Sequence, residues 1–284
     1  MKTINDLFKV IQLEKIENNI FRGDSIITPW KRVFGGQVLS QALNAAIQTV
    51  DGDRCVHSMH GYFILPGDVE LPIVYEVDRI RDGGSFATRR VVAIQKGRAI
   101  FSMGASFQLE QEGLDHQVDM PDVPGPEDLP SDQDTLRALG DKLPASFSWM
   151  LMDRPIEFRP IDPLDPLNPE KRPPQRHIWM RAKGKIPDDK SLHREILAFA
   201  SDYNLLTTSL RPHFDKVTYA DLQLASIDHA MWFHRSFRMD DWLLYALDSP
   251  SASGTRGFTR GSVYSRSGEL VASVVQEGLI RPKR

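Results

Sequence analysis

The pattern of hydrophobic and polar positions in the first half of the chain predicts one helix followed by antiparallel strands. The helix begins within F-G-G-Q-V-L-S-Q-A-L-N-A-A-I-Q-T-V, residues 34–50, and its buried positions are mostly alanine. Strand-like runs follow at residues 56–65, 73–80 and 87–107, and the last of these folds back at residues 95–97. The first half is therefore predicted to be a helix that packs closely on an antiparallel sheet.

The second half repeats this order. Strands are predicted near I-E-F-R-P-I and H-I-W-M-R-A, a helix from about Ser191 to Leu210, and further strands over residues 225–234, 242–247 and 257–276. Four identities occur at one common offset between the halves: Thr88 with Thr259, Arg89 with Arg260, Gly97 with Gly268, and Ser102 with Ser273. We interpret the chain as a duplicated unit.

Proline is concentrated in the middle of the chain, where twelve of the nineteen prolines lie between Pro121 and Pro174. The segment P-D-V-P-G-P-E-D-L-P-S-D-Q-D is also acidic, which is typical of irregular or extended chain. We therefore predict an N-terminal domain over residues 1–110, a connector over residues 111–145 and a C-terminal domain over residues 146–284.

Composition indicates a soluble globular protein without a nucleic-acid or membrane partner. The net charge of −3 gives no electrostatic attraction to nucleic acid or to anionic lipid. No apolar run approaches the roughly 20 residues that span a bilayer. Cys55 is the only cysteine of the 284 residues, so no disulfide forms within the chain and a cytoplasmic location is expected.

Asp202 lies at the margin of the apolar face predicted for the second-half helix. That face repeats at spacings of three and four residues: Leu192, Ile196, Phe199, Tyr203 and Leu206. An aspartate at its margin would be drawn halfway into the interior. The alternative is an exposed acid at the edge of an amphipathic face, because acidic side chains are rarely buried.

Ser226 opens S-I-D-H-A-M-W-F-H-R, a predicted strand with unusually many polar and aromatic side chains. Strand alternation places Ser226 and Asp228 on one face and His229 on the other, so Asp228 and His229 do not form a dyad within one face. The chain also lacks the G-x-S-x-G motif of a serine nucleophile. Taken alone, Ser226 is best explained as a strand-end hydroxyl that bonds to the backbone.

Gln276 interrupts the apolar run L-V-A-S-V-V-Q-E-G-L-I of the last predicted strand. A buried amide needs hydrogen-bond partners, so Gln276 either serves a site or bonds to the backbone. Most buried polar side chains take the second role.

Gly35, Gly36 and His60 are further candidates, in this case for substrate binding. The two glycines open the first-half helix, where N–H groups bind oxyanions or polarise a carbonyl, although a turn glycine is an equally ordinary explanation. His57 and His60 are three residues apart on a strand, which predicts opposite faces. The chain has no H-E-x-x-H motif and no paired cysteines, so no metal site is expected.

These segments together resemble the acyl-coenzyme A (acyl-CoA) thioesterase II family, whose members carry two fused hot-dog domains. The likeness covers nearly the whole chain and is strongest in V-F-G-G-Q, V-H-S-M-H-G-Y-F-I-L-P-G-D, R-D-G-G-S-F-A-T-R-R-V, A-S-D-Y-N-L-L, I-D-H-A-M-W-F-H-R and V-A-S-V-V-Q-E-G. The resemblance implies an α+β fold in which each domain is a long helix wrapped by an antiparallel sheet, with the two sheets joined side by side.

The resemblance also implies a function. In the family, an aspartate within A-S-D, a hydroxyl residue before I-D-H and a glutamine in V-Q-E-G hold the attacking water, and these positions fall on Asp202, Ser226 and Gln276. It implies an acyl-CoA substrate, no cofactor, and a homo-oligomer with a tetramer favoured. Two alternatives remain open from the residues, namely a hydratase acting on enoyl thioesters and a non-catalytic acyl-CoA-binding module.

Overall fold

The computed structural model describes residues 1–143 and 145–283, and its strands form one large antiparallel sheet. The α-helices of this part of the chain are α1 (Ile4–Ile11), α2 (Gly35–Ile47), α3 (Asp132–Arg137), α4 (Lys190–Ser201) and α5 (Leu205–Thr208). The strands are β1 (Glu14–Glu17), β2 (Ile20–Gly23), β3 (Arg54–Phe63), β4 (Ile73–Asp82), β5 (Phe86–Gln95), β6 (Arg98–Leu109), β7 (Ile156–Pro160), β8 (Gln175–Ala182), β9 (Leu222–Ser226), β10 (Asp228–Phe233), β11 (Leu243–Ser253), β12 (Arg256–Ser265) and β13 (Leu270–Pro282). None of the helices described has the length and hydropathy needed to cross a bilayer.

The sheet has the strand order β1-β2-β4-β5-β6-β3-β10-β13-β12-β11-β8-β7, and β9 pairs with the end of β13. Strands β3 and β10 lie at its centre and join the two halves, with His60 opposite Ala230. Each half thus contributes one sheet and one long helix, α2 or α4. The predicted α+β fold of two hot-dog units joined side by side is confirmed.

Helices α2 and α4 pack against each other in an antiparallel arrangement. Near the start of α2, Gly36 lies against the carbonyl oxygen of Phe199, and further along, Asn44 Nδ2 donates to Glu195 Oε1 at 3.0 Å. Buried residues of both halves form one continuous hydrophobic core. Because the core is shared, the start of one helix is fixed beside the end of the other.

The residue pairs between neighbouring strands correct the predicted alignment of the two halves in the first strand of each final hairpin, β5 and β12. Asp78 pairs with Arg90 between β4 and β5, and Asp248 pairs with Arg260 between β11 and β12. Arg90 is therefore the counterpart of Arg260, and the offset between the halves is one residue shorter here than the four identities implied. The alignment of Thr88 with Thr259 and of Arg89 with Arg260 was wrong by one residue.

The offset becomes one residue longer after the hairpin turn. In the first half, Gln95 pairs directly with Arg98 across the turn, whereas in the second half Ser265 donates to the carbonyl of Glu269, so the second turn is one residue longer. Gly97 and Gly268 both have positive φ, at 69° and 89°. The alignments of Gly97 with Gly268 and of Ser102 with Ser273 are confirmed.

The second-half helix is shorter than its apolar stripe predicted. Instead of one helix from Ser191 to Leu210, α4 ends at Ser201 and α5 follows as a separate turn. Between them, Asn204 has a left-handed backbone with φ of 66°, a conformation that asparagine tolerates and that ends an α-helix. Asp202 is consequently the C-cap residue of α4.

Glu195 is a buried acid at the α2–α4 contact, and its ionisation should limit stability in alkaline solution. Burial raises the pKa of Glu195 to about 8. The nearby negative charge of Asp189 raises the pKa as well, and the hydrogen bond from Asn44 partly offsets the rise. The folded protein therefore holds a proton that the unfolded chain has lost, and stability should fall as pH rises between the unfolded value of 4.5 and about 8. We expect Glu195→Gln to flatten this fall in thermal melts between pH 5 and 9. Parallel curves for the two proteins would contradict the assignment.

Candidate active site

Asp202 lies where the end of α4 meets the start of α2. Its Oδ2 accepts a hydrogen bond from the backbone N–H of Gly36 at 2.9 Å. A carboxylate at the C-terminal end of its own helix faces an unfavourable dipole, and the N-terminal end of α2 supplies the compensating positive end. The carboxylate is thus held by a backbone group from the other half of the chain.

The two glycines of V-F-G-G-Q permit this close approach. A Cβ atom on Gly35 would lie 2.7 Å from Asp202 Oδ2, and one on Gly36 would lie 2.3 Å from the carbonyl oxygen of Phe199. These distances are shorter than real Cβ contacts. Glycine is needed here for proximity of the two helices, and not for an unusual φ.

Ser226 ends β9, whereas the sequence pattern placed it at the start of the following strand. It pairs with Gly278, and β10 begins only at Asp228. Ile227 between the two strands donates to the carbonyl of Glu277 and accepts from the N–H of Phe63. This irregularity turns the half-buried Ser226 hydroxyl toward Asp202, and Ser226 Oγ donates to Asp202 Oδ1 at 3.3 Å.

Gln276 connects the members of the cluster. Its Nε2 donates to Asp202 Oδ1 at 2.9 Å and to Ser226 Oγ at 3.1 Å, and the side chain is fully buried on β13. A carboxylate accepts only, so Asp202 fixes which end of the amide faces it. The structure therefore brings Asp202, Ser226 and Gln276 into mutual hydrogen-bond contact.

His229 is a fourth member, which strand alternation had placed on the face opposite Ser226. Its Nδ1 lies 3.2 Å from Gln276 Nε2, and its Nε2 lies 3.0 Å from Ser201 Oγ. The ring is fully buried, and burial lowers its pKa to about 3, so His229 is neutral. The Gln276 amide has two N–H hydrogens, so Ser226 Oγ and His229 Nδ1 share the one that Asp202 does not take. A neutral imidazole that accepts at Nδ1 donates at Nε2, here to Ser201, the last residue of α4.

The surroundings of Asp202 act on its pKa in opposite directions. Burial raises the pKa of the carboxyl above its ordinary value, whereas hydrogen bonds from Gln276, Gly36 and Ser226 favour the ionised form and partly offset the rise. The residue as a whole nevertheless keeps partial solvent exposure. This combination is suited to a group that gains and loses a proton during a reaction.

The other candidates from the sequence lie elsewhere or act differently. His60 is exposed on the outer face of the sheet, where its ring packs edge-on against Trp232 at 4.8 Å, so the structure does not bring it to Asp202. The Gly36 N–H donates to the carboxylate of Asp202, whereas the sequence pattern assigned this position to an oxyanion or carbonyl of the substrate. Gly35 lies beside Asp202 and lines the adjoining cleft.

Two cavities flank the cluster. The inner side of an apolar cavity is lined by Phe34, Phe199 and Tyr203, of which Phe34 precedes Gly35 and Tyr203 follows Asp202 in the chain. Its outer side carries the edge-on pair Trp30 and Trp149. A second, more polar cleft reaches Gly35 and Ser226 and opens between the loop before α2 and the end of β3. The cluster lies between an apolar cavity and a polar entrance.

Two family models match the chain. One, described as acyl-CoA thioesterase, matches residues 150–279, and the other, described as the acyl-CoA thioesterase N-terminal domain, matches residues 26–108. The match to residues 150–279 includes Asp202, Ser226 and Gln276, and the match to residues 26–108 includes Gly35 and Gly36.

Relatives of similar length carry the same description. Acyl-CoA thioesterase 2 of Haemophilus influenzae is 39% identical over 98% of each chain, and acyl-coenzyme A thioesterase 8 of Homo sapiens is 40% identical over 96% of this chain and 88% of that protein. Among solved structures, the acyl-CoA thioesterase II TesB2 from Mycobacterium marinum superposes with a TM-score of 0.81 at 44% identity, covering 97% of this chain and 98% of that one.

Proposed function

The chain belongs to the acyl-CoA thioesterase family and hydrolyses acyl-CoA thioesters, and we propose that Asp202, Ser226 and Gln276 hold the attacking water. The observation that carries this proposal is the convergence of three hydrogen bonds on the Asp202 carboxylate. A carboxylate offers about four lone-pair positions. Three are taken by Gly36, Ser226 and Gln276, which leaves one for the O–H of a water molecule.

In this mechanism Asp202 is the general base. Water bound to Asp202 attacks the thioester carbonyl carbon while its proton passes to the carboxylate, and a tetrahedral intermediate forms. The C–S bond then breaks, the electron pair leaves on sulfur, and the proton from Asp202 completes the free thiol of CoA. Ser226 and Gln276 fix the carboxylate, so the water is oriented before the substrate arrives.

The start of α2 supplies the electrophilic assistance. The carbonyl oxygen gains negative charge as water attacks, and the positive end of a helix dipole stabilises such charge. The first turn of an α-helix has N–H groups without intrahelical acceptors. In α2 the Gly36 N–H already donates to Asp202, so we assign this role to the Gly35 N–H, at the residue where the helix begins. The catalytic site therefore uses residues from both halves of the chain.

The two cavities suggest how the substrate is oriented. The acyl chain fits the apolar cavity behind Phe34 and Tyr203, because burying methylene groups there removes them from water. The polar cleft on the opposite side of Gly35 then receives the pantetheine arm. This orientation places the thioester carbonyl between the carboxylate and the helix start.

Single-turnover hydrolysis in isotopically labelled water tests the proposal directly. Water attack puts one oxygen-18 atom into the released acid, and intact-mass spectra of the quenched protein show no acyl adduct at any time. An acyl adduct that forms and decays at the turnover rate would replace the water mechanism with a covalent one. A thiol reagent added to the same reaction reports CoA release, which neither hydration of an enoyl thioester nor simple binding produces.

Assembly and location stay predictions from the sequence. We propose a homo-oligomer, with a tetramer favoured, in the cytoplasm. Tyr62, exposed on the outer face of the central strand β3, and the neighbouring His60–Trp232 pair support a protein contact at this face.

A further inference from the structure

We propose that the phosphates of the CoA nucleotide bind in a basic groove outside the active-site entrance, on Lys31, Arg32 and Arg98. This inference rests on the proposed function, since it assigns the part of the substrate that lies farthest from the thioester. The term basic groove denotes the cleft lined by these three residues together with Lys96, Asp68 and Glu70.

The basic groove is continuous with the polar cleft that reaches the catalytic cluster. The two share one wall, formed by Arg32, Leu65, Pro66, Gly67 and Ile100. A ligand that enters through the groove therefore passes Arg32 before it reaches Gly35 and Ser226. This order matches a thioester that carries a long arm ending in charged groups.

The groove carries more positive than negative side chains, and three of its four cations have no acidic partner in the part of the chain that the structure describes. Lys96 pairs with Asp68 at 3.0 Å, but within the described residues Lys31, Arg32 and Arg98 form no ion pair. The lining has four cationic groups against the two acids Asp68 and Glu70, a local excess of two in a chain whose net charge is −3. Guanidinium groups bind phosphate oxygens through paired, charge-assisted hydrogen bonds.

The loop that carries Lys31 and Arg32 has a fixed backbone. Thr28 Oγ1 donates to the carbonyl of Arg32 at 2.6 Å, and the N–H of Val33 donates to the carbonyl of Gly67 at 3.0 Å. These bonds hold the loop against the segment that contains Gly67. The backbone that carries the two cations is thus positioned before any ligand binds, which reduces the entropy lost on binding.

The duplicated half provides an internal comparison, because a cleft lined by Arg181, Arg238, Arg266, Asp240 and Glu269 occupies the equivalent position. There, each arginine has an acidic partner: Arg181 with Glu157, Arg238 with Asp240 and Asp188, and Arg266 with Glu127. The alignment of Gly97 with Gly268 places Glu269 at the position that Arg98 occupies in the first half. The equivalent cleft is therefore neutralised.

The inner end of the equivalent cleft also lacks the catalytic groups. With the strands of the two halves aligned by their pairing, Val56 takes the position of Ser226 in the alignment that holds before the hairpin turn. Ala105 takes the position of Gln276 in the alignment that holds after the turn. Lys31, Arg32 and Arg98 come from the N-terminal half and the catalytic side chains come from the C-terminal half, and the two groups meet along one continuous cleft. The equivalent cleft has ion-paired arginines and lacks the Ser226 and Gln276 side chains. This coincidence is the main support for assigning the basic groove to the substrate that the catalytic cluster hydrolyses.

Variants of the groove test the proposal with two substrates that share one acyl chain. The double variant Arg32→Ala/Arg98→Ala should raise KM for acyl-CoA about tenfold or more, because each exposed phosphate contact contributes modestly. Its kcat should stay within about twofold, and hydrolysis of the acyl thioester of N-acetylcysteamine, which lacks the nucleotide, should be unchanged, since neither residue is assigned to the reacting atoms. Arg266→Ala is the matched control and should leave both substrates unaffected.

A binding measurement separates this proposal from the proposed function. Adenosine 3′,5′-bisphosphate should compete with acyl-CoA in the wild-type protein, with an affinity that falls as salt increases, and the double variant should lose most of this inhibition. An unchanged KM for acyl-CoA in the double variant would overturn the groove assignment while leaving the catalytic cluster intact. Equal losses with both substrates would overturn it as well. Failure of the proposed function would instead appear as full activity after replacement of Asp202.

Discussion

Asp202→Asn should lower kcat by about two to four orders of magnitude, the range associated with losing a general base. Asparagine keeps the size of the side chain and one acceptor oxygen, but it takes no proton from water. KM should change little, because the proposed mechanism assigns Asp202 to the water rather than to the nucleotide or the acyl chain. Steady-state thiol release with a medium-chain acyl-CoA measures both constants.

Asp228→Asn is the matched control for this variant. Asp228 is a half-buried aspartate two residues from Ser226, and its Oδ1 accepts from the N–H of Glu277 at 2.6 Å, a bond that an asparagine oxygen also accepts. The turnover of the Asp228→Asn variant should stay within a few-fold of the wild-type value. Circular dichroism of both variants establishes that each is folded, and near-normal turnover in folded Asp202→Asn would remove Asp202 from the mechanism.

Hydrophobic periodicity was sufficient to predict the architecture, because both halves alternate clearly between helix and strand patterns. It was insufficient at the ends of elements. The apolar stripe continues past Asp202 to Leu206, so periodicity predicted an unbroken helix, whereas the backbone turns at Asn204. A better signal was present in the sequence, since asparagine is among the few residues that adopt a left-handed conformation readily.

The face assigned to His229 was wrong for a related reason. Alternation holds only within a regular strand, and the break at Ile227 between β9 and β10 shifts the faces on either side of it. Ser226 and His229 consequently both reach Gln276, although three residues separate them. No composition signal marks such a break, because it depends on pairing with β13 and with the other half of the chain.

The contact between Gly36 and Asp202 could not be predicted from either segment alone. The residues are 166 positions apart, and their approach depends on the antiparallel packing of α2 on α4. The resemblance to a family indicated Asp202, Ser226 and Gln276, but the structure adds the backbone donor from the other half. Duplication therefore does more than repeat a domain here, since a backbone group of one half holds the carboxylate that the other half carries.

Gln276→Ala should lower kcat/KM by about tenfold to a thousandfold, the range for losing a preorganised hydrogen-bond donor. It should also move the acid limb of the pH profile to higher pH. The hydrogen bond from Gln276 favours ionised Asp202, so its loss leaves burial less opposed and raises the pKa of the carboxyl further. Because the base acts only when deprotonated, activity should then begin at a higher pH than in the wild-type protein.

The pH shift distinguishes this role from a structural one. Thr259→Val is the matched control, since Thr259 pairs with Gln276 across the β12–β13 ladder and is equally buried, yet forms no hydrogen bond to Asp202 within the described residues. A packing defect next to Gln276 would lower kcat/KM at every pH by a similar factor. Loss of the Gln276 donor should lower it most in acid, and a Gln276→Ala profile parallel to that of Thr259→Val would mean that the amide does not act through Asp202.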